Sequence, residues 1–125
     1  MPDPNQAVLD FLATRRSRPA KTLTAPVPDD AQLLQLLTIA ARAPDHKKLE
    51  PWRFIVLEKP ALERLALLVS NRARSLGIAP EQAEKTVRQF ADADLVVAVV
   101  GSPRPNDAVP ELEQILSVGA VSQNL

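Results

Sequence analysis

Residues 42–58, RAPDHKKLEPWRFIVLE, decide how the rest of the chain is read. Trp52 to Glu58 alternates and is rich in β-forming side chains, so it reads as a strand, with Pro51 admissible only because it stands at the strand's beginning. Upstream, Pro44 stops a helix, and Pro44 and Pro51 fix a loop in the cluster that gathers Arg42, His46, Lys47 and Lys48 with Trp52. A loop held this rigidly is a candidate site. Trp52 itself is expected in the core, since a large aromatic at a strand entrance buries well.

On the N-terminal side, the helix ended by Pro44 begins at Asp29 with Gln32 three residues on, the spacing of a capping box, and carries Leu33, Leu34, Leu36, Leu37, Ala40 and Ala41 on a broad apolar face. Asp3, Pro4 and Gln6 have the offsets of an earlier helix start, and Val8, Leu9, Phe11 and Leu12 give residues 4–14 a helical period. That helix delivers Arg15, Arg16 and Ser17. Between Phe11 and Pro28 there are four cations and no acid. Two readings of this cluster stand side by side: two guanidinium forks and a hydroxyl suited to a phosphate monoester, or a solvated group balancing a helix C-terminus.

Towards the C-terminus, Pro60 opens a helix with the stripe Leu62, Leu65, Leu68, Val69 and Leu76 and Gly77 as its C-cap. Pro80 opens another, with Ala83, Val87 and Phe90 on one face. The unbroken run Leu95 to Val100 has the pattern of a strand covered on both faces and is expected to be central. After a proline-rich loop, Pro110 starts a last helix with Leu112, Ile115, Leu116 and Gly119 along one side, a stripe that extends to Val121 through Leu125 in the longest reading. That pattern reaches Leu125 without a stop signal, and two strands alone make no stable sheet, so the 125 residues are expected to be the N-terminal portion of a single domain, truncated in its last helix.

Composition narrows the function. A chain of 125 residues has room for one core, burying roughly two-thirds of its unfolded surface. A 46% hydrophobic and 24% charged composition is that of an ordinary globular protein. Fifteen basic residues against fifteen acidic ones give zero formal charge, which argues against a general nucleic-acid binder and makes any anion site local. The absence of Cys and a single His leave no basis for disulfides, a cysteine nucleophile or a metal site. Gly77, Gly101 and Gly119 are too scattered for a dinucleotide turn or a P-loop. Residues 1–10 lack the pattern of a secretory leader, so a cytoplasmic location is the default expectation. His46 beside Asp45 reads as structural or as catalytic, and a hydrolytic triad with Ser17 is set aside because no nucleophile elbow surrounds any serine.

RRS after a first helix, followed by RAPDHKKLEPWRF at the end of the second, resembles the nitroreductase family of flavin enzymes. The following helix, the strand LVVAVVG and the helix VPELEQILSVGAVSQNL fall where that family has them. The resemblance implies an α+β fold, with helices around a central, mainly antiparallel sheet completed by a C-terminal part, and a homodimer with FMN at the subunit interface. Carried over by position, Arg15, Arg16 and Ser17 would hold FMN from one subunit, and Arg42 and His46 would reach it from the other. The implied activity is a ping-pong cycle in which NAD(P)H reduces the flavin and a nitro or other electron-poor acceptor reoxidises it, with no catalytic side chain required. A flavin-binding protein without turnover would use the same residues.

Overall fold

The seven residues Trp52–Glu58 form strand β1, and Leu95–Gly101 form β2; the two pair antiparallel from Trp52 opposite Gly101 to Glu58 opposite Leu95. The computed structural model describes residues 3–125 and contains five α-helices: α1 (Gln6–Thr14), α2 (Asp30–Ala40), α3 (Lys59–Ser75), α4 (Pro80–Ala91) and α5 (Glu111–Asn124). The chain is thus α+β, with α3 and α4 packed on each other as the excursion between the strands, and α5 packed on β2 and α2. β1 shows the alternation its sequence predicts: Trp52, Phe54 and Val56 are half-buried, and Arg53 and Ile55 are exposed. β2 departs from expectation. Among the described residues it is not a central strand, because β1 is its one neighbour, and Leu95 to Val100 are all half-buried rather than enclosed. An apolar run records a preference for burial on two faces, and within these residues the layers that would complete it are missing.

The helix ends follow local chemistry. At α2 the capping box forms: Asp29 Oδ1 accepts from the Gln32 N–H at 2.9 Å, and the Asp29 N–H donates to Gln32 Oε1 at 3.0 Å. At α1 the cap is Asn5 rather than Asp3, and the helix starts two residues later than the Asp3–Pro4–Gln6 spacing predicts. Asn5 Oδ1 accepts from the Val8 N–H, while Gln6, freed from a capping role, donates to Asp10 at 2.7 Å. Lys59 opens α3 and donates from Nζ to the carbonyls of Ala91 and Ala93 at 2.9 and 3.2 Å, placing a cation where α4 exposes its last carbonyls.

The end of α3 is a Schellman turn. Ile78 N–H donates to Ala73 O at 3.0 Å and Gly77 N–H to Arg74 O at 3.1 Å, with Gly77 at φ 67°. Space is not the constraint, since nothing lies within 4 Å of a Cβ built at Gly77. The backbone angle is. Gly77→Ala is therefore expected to lose about 1 kcal/mol of stability, the left-handed penalty less the entropy taken from the unfolded chain; a urea midpoint equal to that of the native protein would contradict this.

The core gathers where α2, α5 and the sheet meet. Ala40, Ala43 and Val121 are buried there, and Trp52, Phe54, Val99 and Ala120 pack around them. This corrects the orientation of α5: Leu112, Ile115 and Leu116, the predicted inward stripe, are exposed, while Gln114 and Val121 are buried and Ser117 and Val118 half-buried. The helix presents nearly the opposite face from the one its leucines suggest. The reason is Gln114, only 2% exposed, whose Oε1 accepts from the Arg104 N–H at 2.8 Å and whose Nε2 donates to Arg104 O at 2.9 Å and Val109 O at 3.2 Å. A satisfied amide belongs inside as readily as a leucine. In α3, similarly, Leu62 is fully buried but Leu68 and Leu76 are exposed. No helix among the described residues is long and apolar enough to cross a membrane.

Candidate functional site

The loop between α2 and β1 is shaped by one carboxylate. Asp45 accepts from the Leu49 N–H through Oδ1 at 3.2 Å and from the Glu50 N–H through Oδ2 at 2.8 Å, so it closes the short 3-10 turn His46–Lys48. Within that turn and just past it, Lys47, Lys48 and Glu50 have φ of 60°, 51° and 47°. Three non-glycine residues in the left-handed region within four positions each carry about 1 kcal/mol of backbone strain, which persists only where the surroundings impose it. Both Asp45 carboxylate oxygens are thus engaged by the loop's own backbone, the structural of the two readings of the His46–Asp45 pair.

Asp45→Ala is expected to destabilise the protein by about 1–3 kcal/mol, because two backbone donors lose a charged acceptor in a strained segment. Hydrogen exchange at Leu49 and Glu50 should rise in the same variant. Unchanged protection at both amides would show that something else holds the loop.

His46 leans on the far side of the molecule in sequence terms. Its Nδ1 lies 2.8 Å from Glu113 Oε1, a link across 67 residues. Glu113 stands in the first turn of α5, where the helix dipole favours negative charge. The two side chains, about half exposed, line a concavity of about 580 Å³ with Pro44, Asp45, Leu116, Ser117 and Ala120. Sequence reading missed Glu113. No spacing rule connects residues so far apart.

Arg42 is exposed at the end of α2, one residue before the buried Ala43, and so belongs to the same loop as His46. Arg15, Arg16 and Ser17 lie elsewhere. Arg15 closes α1 through its N–H to Phe11 O at 2.8 Å and turns the chain out of the helix at φ −56°, ψ 141°. Among the described residues no hydrogen bond or ion pair joins Arg15, Arg16 or Ser17 to Arg42 or His46, and none of the three arginines has a carboxylate partner. Every residue of α1 is exposed, including Val8, Leu9, Phe11 and Leu12, so nothing among the described residues covers the arm that carries Arg15.

Chemically, the first group offers unpaired guanidinium forks and a hydroxyl on an acid-free segment, and the second a cation and an oriented imidazole beside a mixed concavity. A phosphorylated ligand with a polar ring system matches both.

Comparison with known proteins gives a consistent picture. Residues 12–125 match the profile of the Nitroreductase family. A Haemophilus influenzae protein named "Putative NAD(P)H nitroreductase" is 38% identical over 118 residues, 94% of this chain and 63% of the relative. The Escherichia coli K12 protein "Putative NAD(P)H nitroreductase YdjA" is 35% identical over 111 residues, 89% of this chain and 60% of the relative. The chain therefore spans less than two-thirds of the length of these relatives. Among solved structures, a nitroreductase-like family protein from Bacillus cereus superposes with a TM-score of 0.73 at 21% identity, covering 99% of this chain and 64% of the other. A BluB-like flavoprotein from Clostridium difficile 630 gives 0.60 at 18% identity, covering 94% and 66%.

Proposed function

The chain belongs to the nitroreductase family, and from that premise we propose that it is an FMN-dependent oxidoreductase working as a homodimer. Bound flavin would supply the redox chemistry, taking hydride from NAD(P)H and passing it to a nitro or other electron-poor acceptor in a ping-pong cycle. The observation that carries this reading is the run of unpaired cations at Arg15, Arg16 and Arg18 on a segment free of acids, in a protein whose formal charge is zero. Such a segment suits a phosphate dianion, because guanidinium forks bind it through paired charged hydrogen bonds and no local carboxylate competes.

Arg15, Arg16 and Ser17 of one subunit would hold the phosphate and the adjoining edge of FMN, and Arg42 and His46 of the other would meet the same cofactor at its polar ring edge. A shared site would bring both groups to one ligand. It also gives a partner to the uncovered apolar side chains of α1 and of α5 (Leu112, Ile115 and Leu116), since exposed apolar area of this kind marks an interface. The protein's part is to bind, orient and place positive charge where reduced flavin becomes negative.

Purified protein should carry, or take up, a flavin that acid releases as FMN, and anaerobic NADH or NADPH should bleach it rapidly. Failure to bind any flavin would remove the proposal. Binding without bleaching by either nucleotide would leave a flavin carrier in place of an enzyme.

A further inference from the structure

We propose that Glu113 is a positioning residue that fixes the tautomer of His46, keeping a proton on Nδ1 and leaving Nε2 as the ring atom that meets a bound ligand. The argument begins with the 2.8 Å separation of His46 Nδ1 and Glu113 Oε1. An ionised carboxylate is an acceptor only, so the shared proton sits on the nitrogen. Whatever the overall protonation of the ring, Nδ1–H is retained, and Nε2 is the one ring atom with no partner among the described residues.

The pairing has the features of an orienting contact. Glu113 is seated in the first turn of a helix whose neighbouring Gln114 is locked by three hydrogen bonds, so its backbone is not free to follow the imidazole. His46 in turn stands on a strained loop closed by Asp45. Two independently anchored elements thus meet through one hydrogen bond, and that bond selects the ring's orientation at the 580 Å³ concavity. Partners of this kind, one step removed from the ligand, set which nitrogen an imidazole presents. As a plain exposed ion pair it would contribute little to stability.

His46 is the single histidine of the chain, so nitrogen NMR of the imidazole reads it without assignment ambiguity. In flavin-free protein, at a pH well above the usual imidazole range, the native ring should show one tautomer, protonated at Nδ1. Glu113→Ala should lose that preference and move towards the Nε2–H form that free imidazoles favour in water. Glu113→Gln should give a mixture, because the amide can accept or donate. A native ring already mixed or protonated at Nε2, or one unchanged in Glu113→Ala, would overturn the proposal.

The link to flavin rests on the reading given under Proposed function and is tested separately. With FMN bound, the reduction midpoint of Glu113→Ala should differ from that of the native protein, and equal midpoints would show that the oriented ring does not face the cofactor. A tautomer switch in a protein that binds no flavin would uphold the positioning role and remove the oxidoreductase reading.

Discussion

Arg15→Ala is expected to weaken FMN retention on the order of 10–100-fold, while Lys48→Ala should change it by no more than about twofold. The contrast follows from placement. A guanidinium bonded directly to a phosphate makes charge-assisted hydrogen bonds that a solvated ammonium on a neighbouring loop does not replace. Arg15 has no carboxylate partner among the described residues and lies on an acid-free segment, so its removal should leave folding nearly untouched. Equilibrium dialysis of both variants decides the matter, and equal retention would count against the placement of the phosphate. The shared site adds a sharper check. Mixed dimers of Arg15→Ala with His46→Ala chains should recover one intact site per dimer, because one of the two sites keeps a native Arg15 opposite a native His46. No recovery on mixing would mean that each chain builds its own site.

The second large effect concerns stability. Gln114→Leu should destabilise the protein by about 2–4 kcal/mol, although the substitution preserves volume and looks harmless on a hydrophobicity scale. Three hydrogen bonds tie the Gln114 amide to Arg104 N–H, Arg104 O and Val109 O, and a leucine would leave those backbone groups partly buried without partners. Val109, 2% exposed, anchors the same loop through its side chain, so the loss should spread across residues 102–110. Gln82→Leu, on the exposed start of α4, is the matching control and should shift the urea midpoint little. If the two variants unfold together, Gln114 does not pin the loop.

Much of the architecture was legible because its signals are local. Asp29 with Gln32, Pro60, Gly77 and Pro80 mark helix ends through bonds made within a few residues, and each stands where its chemistry predicts. The alternation in β1 likewise needs only one strand to be read. What escaped depends on remote partners. The face that α5 buries is decided by loop carbonyls ten and five residues from Gln114, which make a polar residue the inward one. The orientation of His46 is decided by Glu113, far along the chain. Whether β2 is central depends on neighbours outside the described residues, so an apolar run could state only a preference. The cationic candidates Arg15, Arg16 and Arg42 were visible as composition, but no local signal assigns them to one ligand.

The left-handed backbone at Lys47, Lys48 and Glu50 has a consequence for how such a protein can be improved. Asparagine or glycine tolerates those angles better, so a search for thermostability alone would drift towards them, gaining up to about 1 kcal/mol at a position. Each such step would also let the loop sample conformations that the present side chains forbid, and the imidazole it carries would sample them too. Selection for durability and selection for a well-aimed ring would thus pull in opposite directions over the same three residues.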